Sequence, residues 1–136
     1  MLVVGDAAAA EDIAQESFLA AVRALDRFDR RRPFGPWLHR IVVNRSIDWA
    51  RARALRRELS ADDAPEPAAR EREEPGDADR LAAVLVELGP EQRAVIVLRY
   101  LLEYTPGEIA ELLELPRGTV NSRLRRGLDH LEAALR

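Results

Sequence analysis

Between Glu58 and Asp79 the chain reads ELSADDAPEPAAREREEPGDAD, with three prolines, one glycine and almost no large apolar residue. Such a segment buries too little surface to offset the entropy of ordering it, so it is expected to be a flexible linker. It divides 136 residues into a piece at 1–57 and a piece at 80–136. Neither is long enough for more than a small lobe around a modest core. No period-two alternation long enough for a sheet occurs in either piece. Alanine, leucine, arginine and glutamate dominate both, which favours helix. The expected fold class is therefore all-α, with two small helical lobes joined by the linker.

The formal net charge of −3 is the mean of three unlike segments. Residues 1–57 carry 11 arginines against 7 acids, residues 58–79 carry 2 against 9, and residues 80–136 carry 8 of each. A basic lobe, an acidic bridge and a neutral lobe follow one another. All 21 basic residues are arginine. There is no cysteine, which excludes disulfides, cysteine-ligated zinc and thiol chemistry. The longest aliphatic run, Ala94 to Leu98, is far short of the roughly 18 residues that span a bilayer. The opening Met-Leu-Val-Val-Gly-Asp has neither a basic leader nor an adequate apolar stretch for a signal peptide. A cytoplasmic protein with no membrane insertion is expected.

In the first lobe a helix is expected from about Ala7 to Asp26, capped by Asp6. Ala14, Phe18, Ala21, Val22 and Leu25 fall on one face, with Ile13 and Leu19 off that stripe. The segment Phe28 to Pro36, with two prolines and a glycine, reads as a loop. A second helix from about Trp37 to Leu59 should bury Trp37, Leu38, Ile41, Val42 and Trp49, and its tail (Arg51, Arg53, Arg56, Arg57) is basic. Beyond the linker, Asp79 can cap a short helix ending at Gly89, and Pro90 suits the first turn of the next. Thr105-Pro106-Gly107-Glu108 has the pattern of a capping box with proline in the first turn. It opens a helix through Leu113, and a turn at Glu114-Leu115-Pro116 leads to a last helix from about Arg117 to Leu135.

Two short helices joined by a tight turn are the helix-turn-helix layout, whose second helix enters the major groove of DNA. In that second helix Val120, Leu124, Leu128 and Leu131 share one face. Ser122, Arg125, Arg126 and Asp129 lie opposite, with Thr119 and Asn121 beside them. Arg117 to Arg126 holds four arginines and no acid. Arginine answers phosphates and the acceptor edge of guanine, and Asn and Ser reach base edges. A solvated charged face on a helical hairpin is the plainer reading. The capping pattern, the turn length and the acid-free helix start together weigh against it.

LGPEQRAVIVLRYLLEYTPGEIAELLELPRGTVNSRLRRGLDHL, Leu88 to Leu131, resembles region 4 of the extracytoplasmic-function sigma factors of the bacterial sigma-70 family, with GTVNSRL (Gly118 to Leu124) its most telling part. The resemblance implies recognition of a promoter's minus-thirty-five element by Arg117, Thr119, Asn121, Ser122, Arg125 and Arg126. Asn121 stands where the family usually has a basic residue, and Glu114 where it often has glycine. AEDIAQESFL, Ala10 to Leu19, is similar to the region 2 segment that grips a coiled coil of the polymerase's largest subunit, with Asp12, Gln15 and Glu16 as the polar contacts. PFGPWLHRIVVNRSIDWAR, Pro33 to Arg51, resembles the part that recognises and opens the minus-ten element. There the loop before Trp37 would capture a flipped base and Asn44 would read its neighbour, with Arg31, Arg32 and Arg51 on the exposed strand. Holding unstacked bases and neutralising a bared backbone calls for such chemistry. Core packing accounts for Trp37 and Trp49 more simply than base contact does.

The resemblance implies core RNA polymerase and promoter DNA as partners, an anti-sigma factor as a further one, and no cofactor or metal. It assigns sigma region 2 to 1–57 and region 4 to 80–136. The family has another helix or two before the AED motif, so the start of region 2 is expected to be missing. A lobe with that wall absent should be marginal by itself, while residues 80–136 should fold independently. An enzyme is not expected. His39 and His130 are far apart and without ligand-spaced companions, and no phosphate loop or nucleophile motif is present. Paired acids such as Glu73-Glu74 lie in the linker, where nothing desolvates them. A stand-alone helix-turn-helix regulator would not need AEDIAQESFL. A truncated sigma-like interaction protein stays open at this point.

Overall fold

The computed structural model describes residues 3–4, 6–60, 74 and 76–136, all helix or connection and without a strand among them. The expected linker lies mostly outside the described residues, but its ends do not. The second helix runs through Leu59 and the third begins at Asp77, so each takes up a few residues of the acidic stretch.

α1 spans Ala7–Ala24, and a single 3-10 turn, Leu25–Arg27, closes it. Asp6 caps it as expected, its carboxylate accepting from the Ala9 N–H at 3.0 Å. The face it buries differs from the expected one. Ile13, Ser17 and Ala21 are buried, whereas Phe18 is 65% exposed and Val22 and Leu25 are also exposed. The buried residues other than Ile13 are small, which lets α1 lie close against α2.

α2, Phe34–Leu59, starts three residues earlier than expected, with Pro33 as its N-cap. Gly35 and Pro36 belong to its first turn. Proline is compatible there because the N–H groups of a first turn have no intrahelical partner to lose. Val43, Ser46, Ile47 and Ala50 form its buried line. Trp37, Leu38, Ile41, Val42 and Trp49, the expected core, are only partly buried. Phe28, Phe34 and Trp37 pack together at the start of the helix, with ring centroids 4.8–5.7 Å apart.

The second lobe holds α3 (Asp77–Glu87), α4 (Pro90–Tyr100), α5 (Pro106–Leu113) and α6 (Arg117–Leu135). Gly76, not Asp79, caps α3. Gly89 in turn is the N-cap of α4 in extended backbone (ψ 151°), not the left-handed terminator expected from its type. The capping box on α5 is complete. Thr105 Oγ1 accepts from the Glu108 N–H at 3.2 Å, and Glu108 accepts from the Thr105 N–H at 3.0 Å. Glu114 ends α5 in the left-handed region (φ 55°), and the Leu115 N–H closes the turn onto the Ala110 carbonyl at 3.0 Å. α6 packs on α3, α4 and α5 through Val120, Leu124, Gly127 and Leu131, while Leu128 faces solvent. Gly127 is the closest approach, since a Cβ there would lie 3.0 Å from the Ile96 side chain.

The lobes are not separate bodies. α2 packs against both α4 and α5. Its Val43 and Ile47 are buried in one cluster with Leu85, Val95, Leu98, Ile109 and Val120 of the second lobe. Three polar contacts rim this junction. His39 Nδ1 lies 2.6 Å from the Tyr104 hydroxyl, Arg40 meets Glu114 at 2.6 Å, and Arg51 pairs with Glu91.

Candidate nucleic-acid interface

The back of α6 is committed to packing, and its front is open. Asn121, Ser122, Arg125 and Arg126 are all exposed and, together with Gly118 and Asp129, line one shallow hollow along the helix. Thr119 is half-buried beside them. Arg117 is exposed at the first position of α6, its guanidinium carbon 3.9 Å from where a side chain on Gly107 would begin. None of Arg117, Arg125 and Arg126 forms a salt bridge among the described residues. A helix front with two free guanidinium groups, an amide and a hydroxyl can hydrogen-bond base edges and phosphates together.

The residues expected to meet the minus-ten element are less uniform. Asn44 is exposed on α2. Arg31 and Arg32 are exposed in the turn before α2, where Asp29 accepts from the Arg31 backbone N–H at 3.0 Å and from its Nε at 3.1 Å. Those two donors hold the Asp29 carboxyl below its ordinary pKa, the backbone one more strongly. Arg51 is engaged by Glu91 of the other lobe. On α1, Asp12, Gln15 and Glu16 are exposed, and so is Leu19. Ile13, which falls off the expected core stripe, is buried. Glu16 lies 3.9 Å from Arg45, a loose pair on the surface.

Arginines gather around Glu91. Burial alone would raise its pKa, but its own backbone N–H and the Arg51 guanidinium, with Arg123 beyond, hold it below the usual glutamate value. Arg93 is 6% exposed and its Nε has no hydrogen-bond partner among the described residues. Burial lowers its pKa, against the attraction of Glu91. Sequence reasoning missed Arg40, Glu91, Tyr104 and the role of His39, which is half-buried on α2. Only their position in the fold reveals them, because each partner lies 40 or more residues away in the chain.

A family model described as sigma-70 region 2 matches residues 1–56, and one described as sigma-70, region 4 matches residues 78–131. The chain is 34% identical, over 98% of its length and 79% of the relative's, to the ECF RNA polymerase sigma factor SigW of Bacillus subtilis. It is 32% identical to the RNA polymerase sigma-E factor of Streptomyces coelicolor, covering 98% of this chain and 75% of that one. Among solved structures it resembles CnrH in complex with the cytosolic domain of CnrY. That match has a TM-score of 0.68 and 32% identity, over 98% of this chain and 79% of the other. The sigma factor RpoE of Bartonella quintana, solved with the anti-sigma factor NepR, shares the fold with a TM-score of 0.78 at 24% identity, over 98% of this chain and 85% of the other.

Proposed function

The chain belongs to the extracytoplasmic-function group of the sigma-70 family, and from that membership we propose how its two lobes divide the work of bringing RNA polymerase to promoters. It is a sigma factor, which binds core RNA polymerase and promoter DNA and directs transcription initiation. Sigma factors are not enzymes, and we assign this chain no catalytic step. Among the described residues no helix is long and apolar enough to cross a membrane. The proposed place of action is the cytoplasm, where polymerase is.

In this reading the second lobe recognises the minus-thirty-five element. Asn121, Ser122, Arg125 and Arg126 enter the major groove, and Thr119 and Arg117 hold the backbone at the start of α6. The observation that carries it is the open, acid-poor front of α6 on a back fully used for packing. The first lobe supplies both remaining tasks. Asp12, Gln15 and Glu16, with Leu19, form the polymerase-gripping face of α1. Asn44, Arg51, Arg31 and Arg32 act on the minus-ten element, and the Phe28–Phe34–Trp37 cluster at the start of α2 offers a surface on which an unstacked base can rest. Two relatives solved with anti-sigma proteins support an anti-sigma factor as a further partner. The test is to add the purified chain to core polymerase and map transcripts. Promoter-specific starts that vanish with Asp12→Ala/Glu16→Ala, and shift in sequence preference with Arg126→Ala, are expected. Starts from random positions would refute the assignment.

A further inference from the structure

We propose that Asp29 is a positioning residue for opening the minus-ten element: it pre-forms the turn ahead of α2 and aims Arg31 at the bared strand. This rests on the reading of the first lobe as the part that meets that element. The carboxylate stands between Arg27 and the run Arg30-Arg31-Arg32. Its charge alone would weaken their contact with phosphate. Its bonds act in the opposite direction.

The turn is built on Asp29 twice. Its backbone carbonyl accepts from the Arg32 N–H at 2.9 Å, and its side chain accepts from the Arg31 N–H at 3.0 Å. A carboxylate bonded to the backbone two residues on acts as an extra turn, which fixes Arg30 and Arg31 at the corner. Both ends of the segment are tied down as well. Phe28 packs across it on Phe34 and Trp37, with ring centroids 5.7 and 4.8 Å away, and Pro33 caps α2 at φ −60°. The same Asp29 oxygen also accepts from the Arg31 Nε at 3.1 Å. Both Nη groups of Arg31 are left without a partner among the described residues, so the open edge of the guanidinium is the fork that matches phosphate and purine acceptors. With the Arg31 side chain 91% exposed, the pair adds little to the stability of the fold. What it supplies is direction. An arginine already held need not be ordered when the strand arrives, an advantage of about two- to tenfold.

The test uses holoenzyme assembled from the full chain and core polymerase, on a duplex promoter with a fluorescent adenine analogue in its minus-ten element. The rate of opening is read apart from the affinity of the closed complex. Asp29→Ala is expected to slow opening about two- to tenfold and to leave closed-complex affinity within about twofold, because the second lobe is untouched. Asp29→Asn sheds the same charge but keeps an oxygen that accepts from the Arg31 N–H, so it should recover most of the rate. Asp26 is an exposed acid of the preceding 3-10 turn with no ion pair among the described residues. Asp26→Ala removes an equal charge and should open no more slowly than the parent. Charge alone predicts the reverse for Asp29→Ala, faster opening as a repulsion is lifted. Opening at the parental rate or faster in Asp29→Ala, or an equal loss in Asp29→Asn, overturns the positioning role. If Arg31→Ala and Arg32→Ala both open as fast as the parent, the reading of the first lobe falls, and the role of Asp29 with it.

Discussion

Ser17 is the one fully buried polar side chain on α1, and its hydroxyl has no hydrogen-bond partner among the described residues. A buried hydroxyl left unpaired is destabilising, so Ser17→Ala is expected to raise the unfolding free energy by about 1 kcal/mol, read from the denaturant midpoint. The residue also shows why the α1 face was misread in the sequence. Counting apolar bulk favours Phe18, Val22 and Leu25, but the face that meets α2 is chosen by how close two helices can come, and small side chains win. Gly127 obeys the same rule on α6. Gly127→Leu should cost about 1–3 kcal/mol by overpacking against Ile96, measured by thermal unfolding. Glu114 holds a positive φ that glycine adopts without strain. Its pair with Arg40 is substantially exposed and worth under about 1 kcal/mol. Glu114→Gly should therefore stabilise the second lobe by about 0.5–1 kcal/mol while removing the contact to α2.

Local chemistry made some elements legible and others not. The capping box and Pro106 fixed the start of α5, and α6 was readable at both ends, because those signals act within one turn. Pro36 and Gly89 misled for the same reason. Proline looks like a loop residue yet fits a first turn, and glycine looks like a helix end yet caps a beginning. The buried side of α6 was legible except at Leu128, which is exposed where Gly127 is buried instead. Arg125→Ala and Arg126→Ala are each expected to cost roughly 1–3 kcal/mol against a duplex carrying the upstream element, with relaxed preference at the base each one reads. Competition binding at fixed salt measures it. If both leave binding unchanged, α6 is not the reading helix.

At the scale of the whole chain, what the sequence could not disclose is the junction. It is made by Val43, Ile47 and contacts 40 or more residues apart, and no local period encodes such a meeting. Ile47→Ala should therefore lower hydrogen-exchange protection in both lobes, where separate lobes would confine the loss to the first. Acid should act in a narrow window. Asp6, Asp29, Glu91 and Glu108 all have pKa values held below the ordinary aspartate and glutamate values in the fold. Their contribution is fully present above those values and is lost as pH falls through the lowered ones. Unfolding midpoints should thus be insensitive to these groups near neutral pH and fall as acid takes the solution through and below the ordinary carboxylate range. The aromatic residues carry a last consequence. Both tryptophans, Trp37 and Trp49, belong to the first lobe, and both tyrosines, Tyr100 and Tyr104, to the second. Tyr104 is held against His39 of α2, two residues from Trp37 in the chain, so transfer of tyrosine excitation to tryptophan should weaken as unfolding separates the lobes. The protein thus carries its own donor and acceptor, and the ratio of tyrosine to tryptophan emission should rise when the junction is lost.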